Sequence, residues 1–174
     1  NYTLLFEGVS RSLTHELVRH RAGFAYSQLS QRYVDETDAA FVVPPAMIGD
    51  AALEAAWRTQ MEAALASYIA MVDALMARYS WVADKVHRRK MAREAARAVL
   101  PNATETKIVV TANVRAWRTM LELRAGEGAE QEIRRCAVAV LRVMMREAPG
   151  FFSDFEIYDG EDRTPAGRIL YHKV

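Results

Sequence analysis

The stretch SRSLTHELVRHRAGFAYSQLSQRY, residues 10–33, decides how this chain is interpreted. It carries four arginines, two histidines and a single acidic residue, Glu16, which gives +3 over 24 residues when histidine is neutral. The whole chain has a net charge of only +1, so positive charge is concentrated here. Local concentration of arginine in a nearly neutral protein predicts a local anion site, with a solvated basic face as the alternative.

The first half of this stretch has the pattern of a helix. Ser10 is a favourable N-cap, so the pattern predicts a helix from Ser10 to about Arg21. Helical spacing would place Arg11, His15 and Arg19 on one stripe of that helix.

The second half, Gly23–Tyr33, is predicted to be a loop rich in hydroxyl, amide and aromatic side chains. Arginine offers a fixed fork of donors that suits phosphate oxygens. Gln28 and Ser30 can donate or accept hydrogen bonds, and Phe24 and Tyr26 could stack on a planar ring. The segment therefore predicts a site for a phosphorylated planar ligand such as a nucleotide, and a basic helix and loop with ordinary surface ion pairs is the alternative.

The rest of the chain alternates helical and strand patterns. Strands are predicted at Tyr2–Val9 and Thr104–Thr111, and helices at Leu53–Tyr79, Ala83–Leu100, Asn113–Arg124 and Glu130–Glu147. A short extended piece is predicted at Phe41–Pro45, and a turn at Asp159-Gly160 in a mixed tail. The predicted fold class is helix-rich α+β, in a single domain over residues 1–174.

Composition excludes several classes of protein. The chain has 174 residues, of which 51% are hydrophobic and 26% charged, which is typical of a globular domain rather than a disordered or collagenous chain. The sequence contains no run of 18 apolar residues, so no membrane span is predicted. The single cysteine, Cys136, allows no internal disulfide and falls in a helical pattern, so a core thiol and a reducing cytoplasm are expected. Four scattered histidines predict no metal site.

Arg19-His20-Arg21 followed by Ser30-Gln31-Arg32 resembles the signature of the flavin-dependent thymidylate synthase family. Further segments resemble family segments in the same order: Ser10–Ser12, Ala96–Pro101, Asn113–Arg118 and Leu123–Ala125. The resemblance implies the α+β fold of that family and a homotetramer whose active sites are shared between subunits. It also implies methylation of C5 of dUMP, with methylenetetrahydrofolate as carbon donor and FAD, reduced by NADPH, as the source of hydride.

The resemblance also implies roles for individual residues. It assigns contacts with the nucleotide to Arg11, Glu16, Arg19, Gln28, Leu29, Ser30, Gln31, Arg32, Arg97 and Arg124. It assigns contacts with the flavin to Arg19, His20, Arg21, Asn113 and Arg115. Arg124 is the expected catalytic residue, because a guanidinium beside uracil N3–H lowers the pKa of that group and enriches the electron density at C5.

Four departures from the family pattern concern this site. Eight residues, Ala22–Leu29, stand between Arg21 and Ser30 where the family has seven, Gly128 stands where many members have histidine, and Val114 replaces a common tyrosine. Several dozen N-terminal residues of the family domain, which contribute to flavin binding, are absent from this sequence. A longer loop and a smaller side chain could each make room for a ribose 2′-hydroxyl, so a UMP methylase of nucleoside-antibiotic biosynthesis is the alternative substrate hypothesis.

Two alternatives of another class remain. The basic run Lys85–Arg97 is typical of a phosphate-tracking helix, which would suit a non-enzymatic nucleic-acid-binding module. The near-neutral charge and the acids Asp84 and Glu94 argue against that module, so no nucleic-acid partner is expected. The third hypothesis is a homologue that binds nucleotide and has lost flavin chemistry.

Overall fold

The computed structural model describes residues 1–171. Its strands are β1 (Tyr2–Ser10), β2 (Phe24–Gln28), β3 (Glu105–Ala112), β4 (Phe155–Asp159) and β5 (Pro165–Ile169). Its helices are α1 (Arg11–Leu17), α2 (Ala51–Arg78), α3 (Lys85–Ala96), α4 (Val114–Arg124), α5 (Gln131–Glu147) and α6 (Pro149–Phe152). Single 3₁₀ turns lie at Pro45–Met47 and Arg97–Val99. The mixture of helices and strands confirms the mixed helix and sheet content expected from the sequence.

Side-chain caps explain where the predicted helices begin. Asp50 accepts hydrogen bonds from two backbone N–H groups at the start of α2, and Asp84 accepts one at the start of α3. Asn113 caps α4 and Glu130 caps α5 in the same way. Each cap satisfies N–H groups that the first helical turn leaves without an intrahelical partner. The helical patterns of the sequence in these four regions are confirmed, within a few residues at each end.

Two predictions for residues 10–33 are wrong. Helix α1 ends at Leu17, not near Arg21, so Arg19 lies beyond the helix rather than on its stripe. The physical reason is that the backbone hydrogen bonds beyond Leu17 span three residues instead of four, from Arg19 N–H to the Glu16 carbonyl and from His20 N–H to the Leu17 carbonyl. The Tyr26 hydroxyl also donates to the Leu17 carbonyl, at 2.9 Å. Residues Phe24–Gln28 form a strand rather than a loop.

By their contacts, the residues group into two compact units. The first unit contains residues 1–5, 13–27 and those from 109 onward, and the second contains residues 6–12 and 28–108. The strands β1, β3 and β2 are hydrogen-bonded in that order, and β4 pairs with β5 in a separate hairpin. A single domain over residues 1–174 stays a prediction.

The core of the first unit lies between α4, α5 and the β4–β5 hairpin. Its largest fully buried side chains in this region are Trp117, Met120, Leu121, Ile133, Leu141, Met144 and Phe152. The Trp117 indole also donates to the Tyr2 carbonyl at 3.3 Å, which ties the beginning of β1 to α4. Strands β4 and β5 are antiparallel, with Phe155 opposite Ile169 and Asp159 opposite Pro165. The expected turn at Asp159-Gly160 follows β4, where Gly160 N–H donates to the Thr164 carbonyl.

The second unit is built around the packing of α2 against α3. Tyr68 of α2 and Ala92 of α3 are fully buried. Leu53 and Met71 of α2 remain 49% and 42% exposed, so part of the apolar surface of this long helix is uncovered in the single chain.

Two kinds of feature are absent from residues 1–171. No helix within residues 1–171 combines the length and apolarity needed to cross a bilayer. Over the same residues, no three His, Cys, Asp or Glu side chains cluster so as to hold a metal ion. His172, one of the four histidines, lies outside the described residues.

Candidate functional site

A cavity of about 330 Å³ in the first unit collects most of the predicted cofactor residues. It is lined by His20, Arg21, Ala22, Gly23, Phe24, Asn113, Arg115, Ala116 and Thr119. Four of the five residues predicted to contact the flavin therefore meet at one cavity, although His20 and Arg21 lie far in the sequence from Asn113 and Arg115. The fifth, Arg19, does not line it: its side chain is 70% exposed and lies 3.8 Å from Glu16.

The start of α4 shapes one wall of this cavity. The Oδ1 atom of Asn113 accepts a hydrogen bond from the Ala116 N–H at 2.9 Å, which fixes the Asn113 side chain. Gly23 lies against that side chain with φ at +78°, and a Cβ atom there would lie 2.5 Å from Asn113 Nδ2. A residue with a side chain cannot be accommodated at this contact, and the left-handed backbone conformation also favours glycine. Gly23 is therefore required by the wall of the cavity.

The aromatic residues of β2 pack mainly against the protein. The rings of Phe24 and Tyr26 are stacked, with centroids 5.6 Å apart, and Phe24 meets Trp117 edge-on at 5.3 Å. The Tyr26 hydroxyl donates to the carbonyls of Leu17 and His20, and burial raises the pKa of Tyr26 to about 12. Phe24 also lines the cavity, whereas the hydroxyl of Tyr26 is hydrogen-bonded to the backbone of the Arg-His-Arg segment at His20.

Arg124, the predicted catalytic residue, is held by two residues of the 16–20 segment. Its Nη1 donates to Glu16 Oε2 at 2.5 Å, and its Nε donates to His20 Nε2 at 3.0 Å. The side chains of Arg124 and Glu16 are only 20% and 28% exposed. Burial and the positive charge of Arg124 lower the pKa of His20, and Glu16 opposes part of that effect. The sequence did not reveal these contacts, because Glu16 and Arg124 lie 108 residues apart.

A second group of predicted site residues lies in the second unit. Arg11 interacts with Arg97 and Glu36: burial and the charge of Arg97 lower the pKa of Arg11, and Glu36 raises it. Burial raises the pKa of Glu36, whereas the nearby Arg11 and Arg93 lower it. Two guanidiniums beside one buried carboxyl leave an excess of positive charge at this place, which suits a phosphate group.

Residues 28–32 extend this group. Gln28 Nε2 donates to Thr106 Oγ1 at 3.4 Å, and the Leu29 N–H donates to the Lys107 carbonyl at 2.9 Å. The Ser30 hydroxyl accepts a hydrogen bond from the Arg32 N–H at 3.4 Å. Gln31 is buried, and within residues 1–171 its Nε2 has no hydrogen-bond partner, so this amide has donor capacity to spare.

A cavity of about 300 Å³ lies beside this segment, and sequence reasoning did not identify all of its residues. Arg32 pairs with Glu94 at 3.0 Å, and the Lys90 ammonium lies 5.0 Å from the centre of the Tyr33 ring. Hydrogen bonding to Lys90 lowers the pKa of Tyr33. The sequence feature that could have indicated this cavity is the basic run of α3, because Lys90 in that run lies against Tyr33, directly after the Ser30-Gln31-Arg32 motif.

Two arginines of the basic run bind other groups of the protein. Arg88 donates to the backbone carbonyls of Ser80 and Val82. Arg93 is buried and forms an ion pair with Asp35. A helix whose arginines are engaged in this way offers fewer free charges to a nucleic-acid backbone than its sequence implies.

The predicted residues are therefore distributed between the two units. The first unit holds Glu16, Arg19, His20, Arg21, Asn113, Arg115 and Arg124. The second holds Arg11, Gln28, Leu29, Ser30, Gln31, Arg32 and Arg97. Cys136 is not part of either cavity lining described above, and burial raises the pKa of its thiol to about 12, so it is a poor nucleophile.

Comparison with known proteins places this chain in a family. The family model for thymidylate synthase complementing protein matches residues 1–150. A flavin-dependent thymidylate synthase of Mycobacterium sp. (strain KMS) is 52% identical over 163 residues, covering 90% of this chain and 63% of the relative. Proteins of the same name from Mycobacteroides abscessus and Mycobacterium tuberculosis (strain ATCC 25177 / H37Ra) are 51% and 52% identical, covering 93% and 90% of this chain. The chain spans 64% and 62% of those two relatives, just under two thirds of their length. With most of its residues matched, the chain belongs to the thymidylate synthase complementing protein family.

Proposed function

We propose that this chain forms part of a flavin-dependent thymidylate synthase, which methylates C5 of dUMP to give dTMP. Methylenetetrahydrofolate would donate the carbon, and NADPH would reduce the bound FAD. The observation that carries the proposal is the position of Arg124, which His20 connects to a cavity lined by the Arg-His-Arg segment and the start of α4. The names of the 52% identical relatives support the same activity.

The residues of the first-unit cavity have the chemistry that a flavin dinucleotide needs. Arg21 and Arg115 supply positive charge for its phosphates, the Asn113 amide can donate or accept hydrogen bonds, and Phe24 offers an aromatic surface. Gly23 keeps the backbone close to that amide. When bound and reduced, the flavin would supply the hydride for reductive methylation, while these side chains hold and orient it.

The role proposed for Arg124 follows from its charge. A guanidinium beside uracil N3–H favours the ionised pyrimidine and raises electron density at C5, where the new bond forms. No enzyme nucleophile is required in this proposal, which agrees with the raised pKa of Cys136. Ser30 accordingly serves as a ligand contact.

The cationic side chains of the second unit, taken by themselves, suit a nucleotide phosphate. Arg11 and Arg97 repel each other, and a phosphate dianion between them would relieve that repulsion and accept charge-assisted hydrogen bonds. Gln28, Ser30 and Arg32 belong to the same unit and are proposed as further nucleotide contacts.

A homotetramer with shared active sites is proposed as the functional assembly. The exposed Leu53 and Met71 of α2 support burial of this helix against other copies of the chain. The expected location is the cytoplasm, where nucleotide and reduced cofactors are available. No nucleic-acid or membrane partner is proposed.

UMP is the second candidate substrate. A Cβ atom at Gly128 would have no neighbouring atom within 4 Å, so the glycine leaves open space where a histidine is common in the family. The loss of that imidazole is what supports UMP as a candidate.

A competition assay tests the proposal. The purified protein is supplied with equal dUMP and UMP, together with FAD, NADPH and methylenetetrahydrofolate, and methyl gain on each nucleotide is read by mass spectrometry. We expect methylated dUMP to dominate, and Arg124→Gln to lose most of this activity while Arg142→Gln, at an exposed arginine of α5, retains it. Methylated UMP would establish the second candidate, and methylation of neither nucleotide by flavin-bound protein would overturn the proposed reaction.

A further inference from the structure

The guanidinium of Arg124 is clamped between two acceptors from the same short segment. Glu16 Oε2 accepts from Nη1 at 2.5 Å, and His20 Nε2 accepts from Nε at 3.0 Å. Because the two donors lie on different nitrogens of one rigid planar group, both the position and the plane of the guanidinium are fixed.

The His20 contact exists in only one protonation state. An imidazole nitrogen can accept a hydrogen bond only when it carries no proton, so His20 must be neutral with its proton on Nδ1. Its partly buried position and the adjacent positive charge both favour that neutral form. The Tyr26 hydroxyl donates to the His20 carbonyl at 2.6 Å, which holds the backbone of this residue in place.

We propose that Glu16 and neutral His20 are positioning residues for Arg124, and that protonation of His20 releases the Arg124 guanidinium. A proton on His20 Nε2 would turn the acceptor into a donor and place a second cation 3.0 Å from Arg124 Nε. Glu16 also lies 3.8 Å from Arg19, so the cluster carries excess positive charge even with His20 neutral, and protonation of His20 adds a further positive charge beside Arg124.

The surrounding charges favour the same direction. Glu16 approaches His20 from α1 and Arg124 from α4, and these are the charges that act on its ionisation. Arg21 and Arg115 line the same cavity as His20. Three of these four groups are cationic and Glu16 is the anion among them, so a protonated His20 competes with Arg124 for Glu16 and weakens the hold on the guanidinium.

The consequence for catalysis rests on the function proposed above. If Arg124 activates the uracil ring, methylation declines at acid pH along the titration of His20. Arg11 and Arg97 stay charged there, whereas the nucleotide phosphate itself gains a proton at about pH 6, which acts on KM. The expected result that reports on Arg124 is therefore a loss of kcat, measured at saturating nucleotide.

Nuclear magnetic resonance tests the release directly and without turnover. Protein labelled with ¹⁵N is titrated from about pH 8 to about pH 5, with the exposed His15 as internal reference. We expect the Nδ1–H tautomer of His20 at neutral pH, a His20 midpoint below 6.5, and movement of the Arg124 Nε signal with that same midpoint. An Nε2–H tautomer, or an Arg124 signal that stays fixed while His20 titrates, would overturn the proposal.

Three variants separate positioning from folding. His20→Gln places an amide oxygen near the former Nε2 position and cannot titrate, so the Arg124 Nε signal should stay fixed to low pH. His15→Gln is the matched control, and in it the Arg124 Nε signal should keep the wild-type midpoint. Glu16→Gln removes the charge that raises the His20 pKa, so the midpoint should fall further. A well-dispersed amide spectrum verifies that each variant folds. An unchanged pH response in His20→Gln would contradict the inference.

The inference and the proposed function fail in different ways. If no dTMP forms but the Arg124 signal follows His20, the clamp stands and the reaction is wrong. If dTMP forms while the Arg124 signal ignores His20, the reaction stands and the clamp is wrong.

Discussion

The guanidinium of Arg134 forms an ion pair with Asp162, and thereby ties the first turn of α5 to the loop between β4 and β5. The Arg134 side chain is only 3% exposed, whereas that of Asp162 is 34% exposed. Arg134 also donates to Thr164 Oγ1 at 2.8 Å and to the Glu127 carbonyl at 3.3 Å. One buried side chain on α5 therefore organises the hairpin loop.

Removal of this guanidinium should destabilise the first unit. Arg134→Ala deletes three interactions and leaves the Glu127 carbonyl without this donor, while Asp162 can turn to water, so we expect a loss of about 2–3 kcal/mol in unfolding free energy. The measurement is urea denaturation followed by far-ultraviolet circular dichroism. Arg135→Ala, at the exposed neighbouring position, is the matched control and should change stability little. Equal losses in both variants would contradict the assignment.

The same contact predicts a dependence on acid. Hydrogen bonds from Thr164, followed by those from Arg134 and Gln131, lower the pKa of Asp162 below its ordinary value of 3.8. A carboxyl whose pKa is lower in the folded protein contributes stability above the ordinary value and loses it as pH falls towards the folded value. Asp162→Asn should therefore be less stable than wild type near neutral pH, and the difference should shrink below pH 3.8. A difference that is constant with pH would contradict this prediction.

Gly167 should not tolerate even one methyl group. A Cβ atom there would lie 2.9 Å from Ala125 Cβ and 2.9 Å from Leu141 Cδ2, so β5 packs directly on α4 and α5 at this residue. Gly167→Ala should cost about 1–3 kcal/mol by overpacking. Gly150→Ala, where a Cβ atom meets nothing within 4 Å, is the control and should be neutral or slightly stabilising. Thermal unfolding of the two variants compares them, and a Gly167→Ala protein as stable as wild type would disprove the close approach.

The Tyr26 hydroxyl should stabilise the end of α1. Tyr26→Phe removes the hydrogen bonds to Leu17 O and His20 O, so we expect a loss of about 1–2 kcal/mol. Tyr171→Phe, at a side chain that is 75% exposed, provides the control. Hydrogen exchange should also be faster at the amides of residues 18–22 in Tyr26→Phe. Unchanged hydrogen exchange at these amides would contradict the prediction that the Tyr26 hydroxyl stabilises the end of α1.

Cys136 should react slowly with thiol reagents in the native protein. Burial raises the pKa of its thiol from 9.0 to about 12, and since only the thiolate reacts, the reactive fraction at pH 8 falls about 1,000-fold. Labelling by a disulfide reagent should be at least about 100-fold slower than in urea-unfolded protein, which serves as the control. Rapid labelling of the native protein would contradict the raised pKa of the Cys136 thiol.

The elements that the sequence predicts well are those with local signals. The apolar spacing over residues 53–79 and the helical patterns at Ala83–Leu100 and Asn113–Arg124 are properties of neighbouring residues, and α2, α3 and α4 lie within a few residues of these predictions. The strand β2 gives a weak signal, because five residues that alternate between exposed and half-buried positions resemble an aromatic loop. Its pairing with β3 comes from a segment about 80 residues away.

The candidate site shows the same limit. The motif indicates His20 and Arg21 at once, but the hydrogen bond from Arg124 to His20 joins residues 104 positions apart and depends on how α4 packs. Glu36 follows the motif directly and interacts with Arg11, yet nothing in its local sequence distinguishes it from a surface acid. The sequence thus indicates the ligand chemistry, and packing determines which residues act on one another.

The division of the chain into two units has a consequence for synthesis on the ribosome. The second unit is complete once residue 108 has emerged, because all its residues lie between positions 6 and 108. The first unit needs residues 1–5 and also α4 and α5, so the Tyr2 carbonyl is made long before Trp117, its donor. The beginning of β1 therefore cannot form its hydrogen bond with Trp117 until α4 has been translated. Until then the Tyr2 carbonyl of the nascent chain lacks this donor.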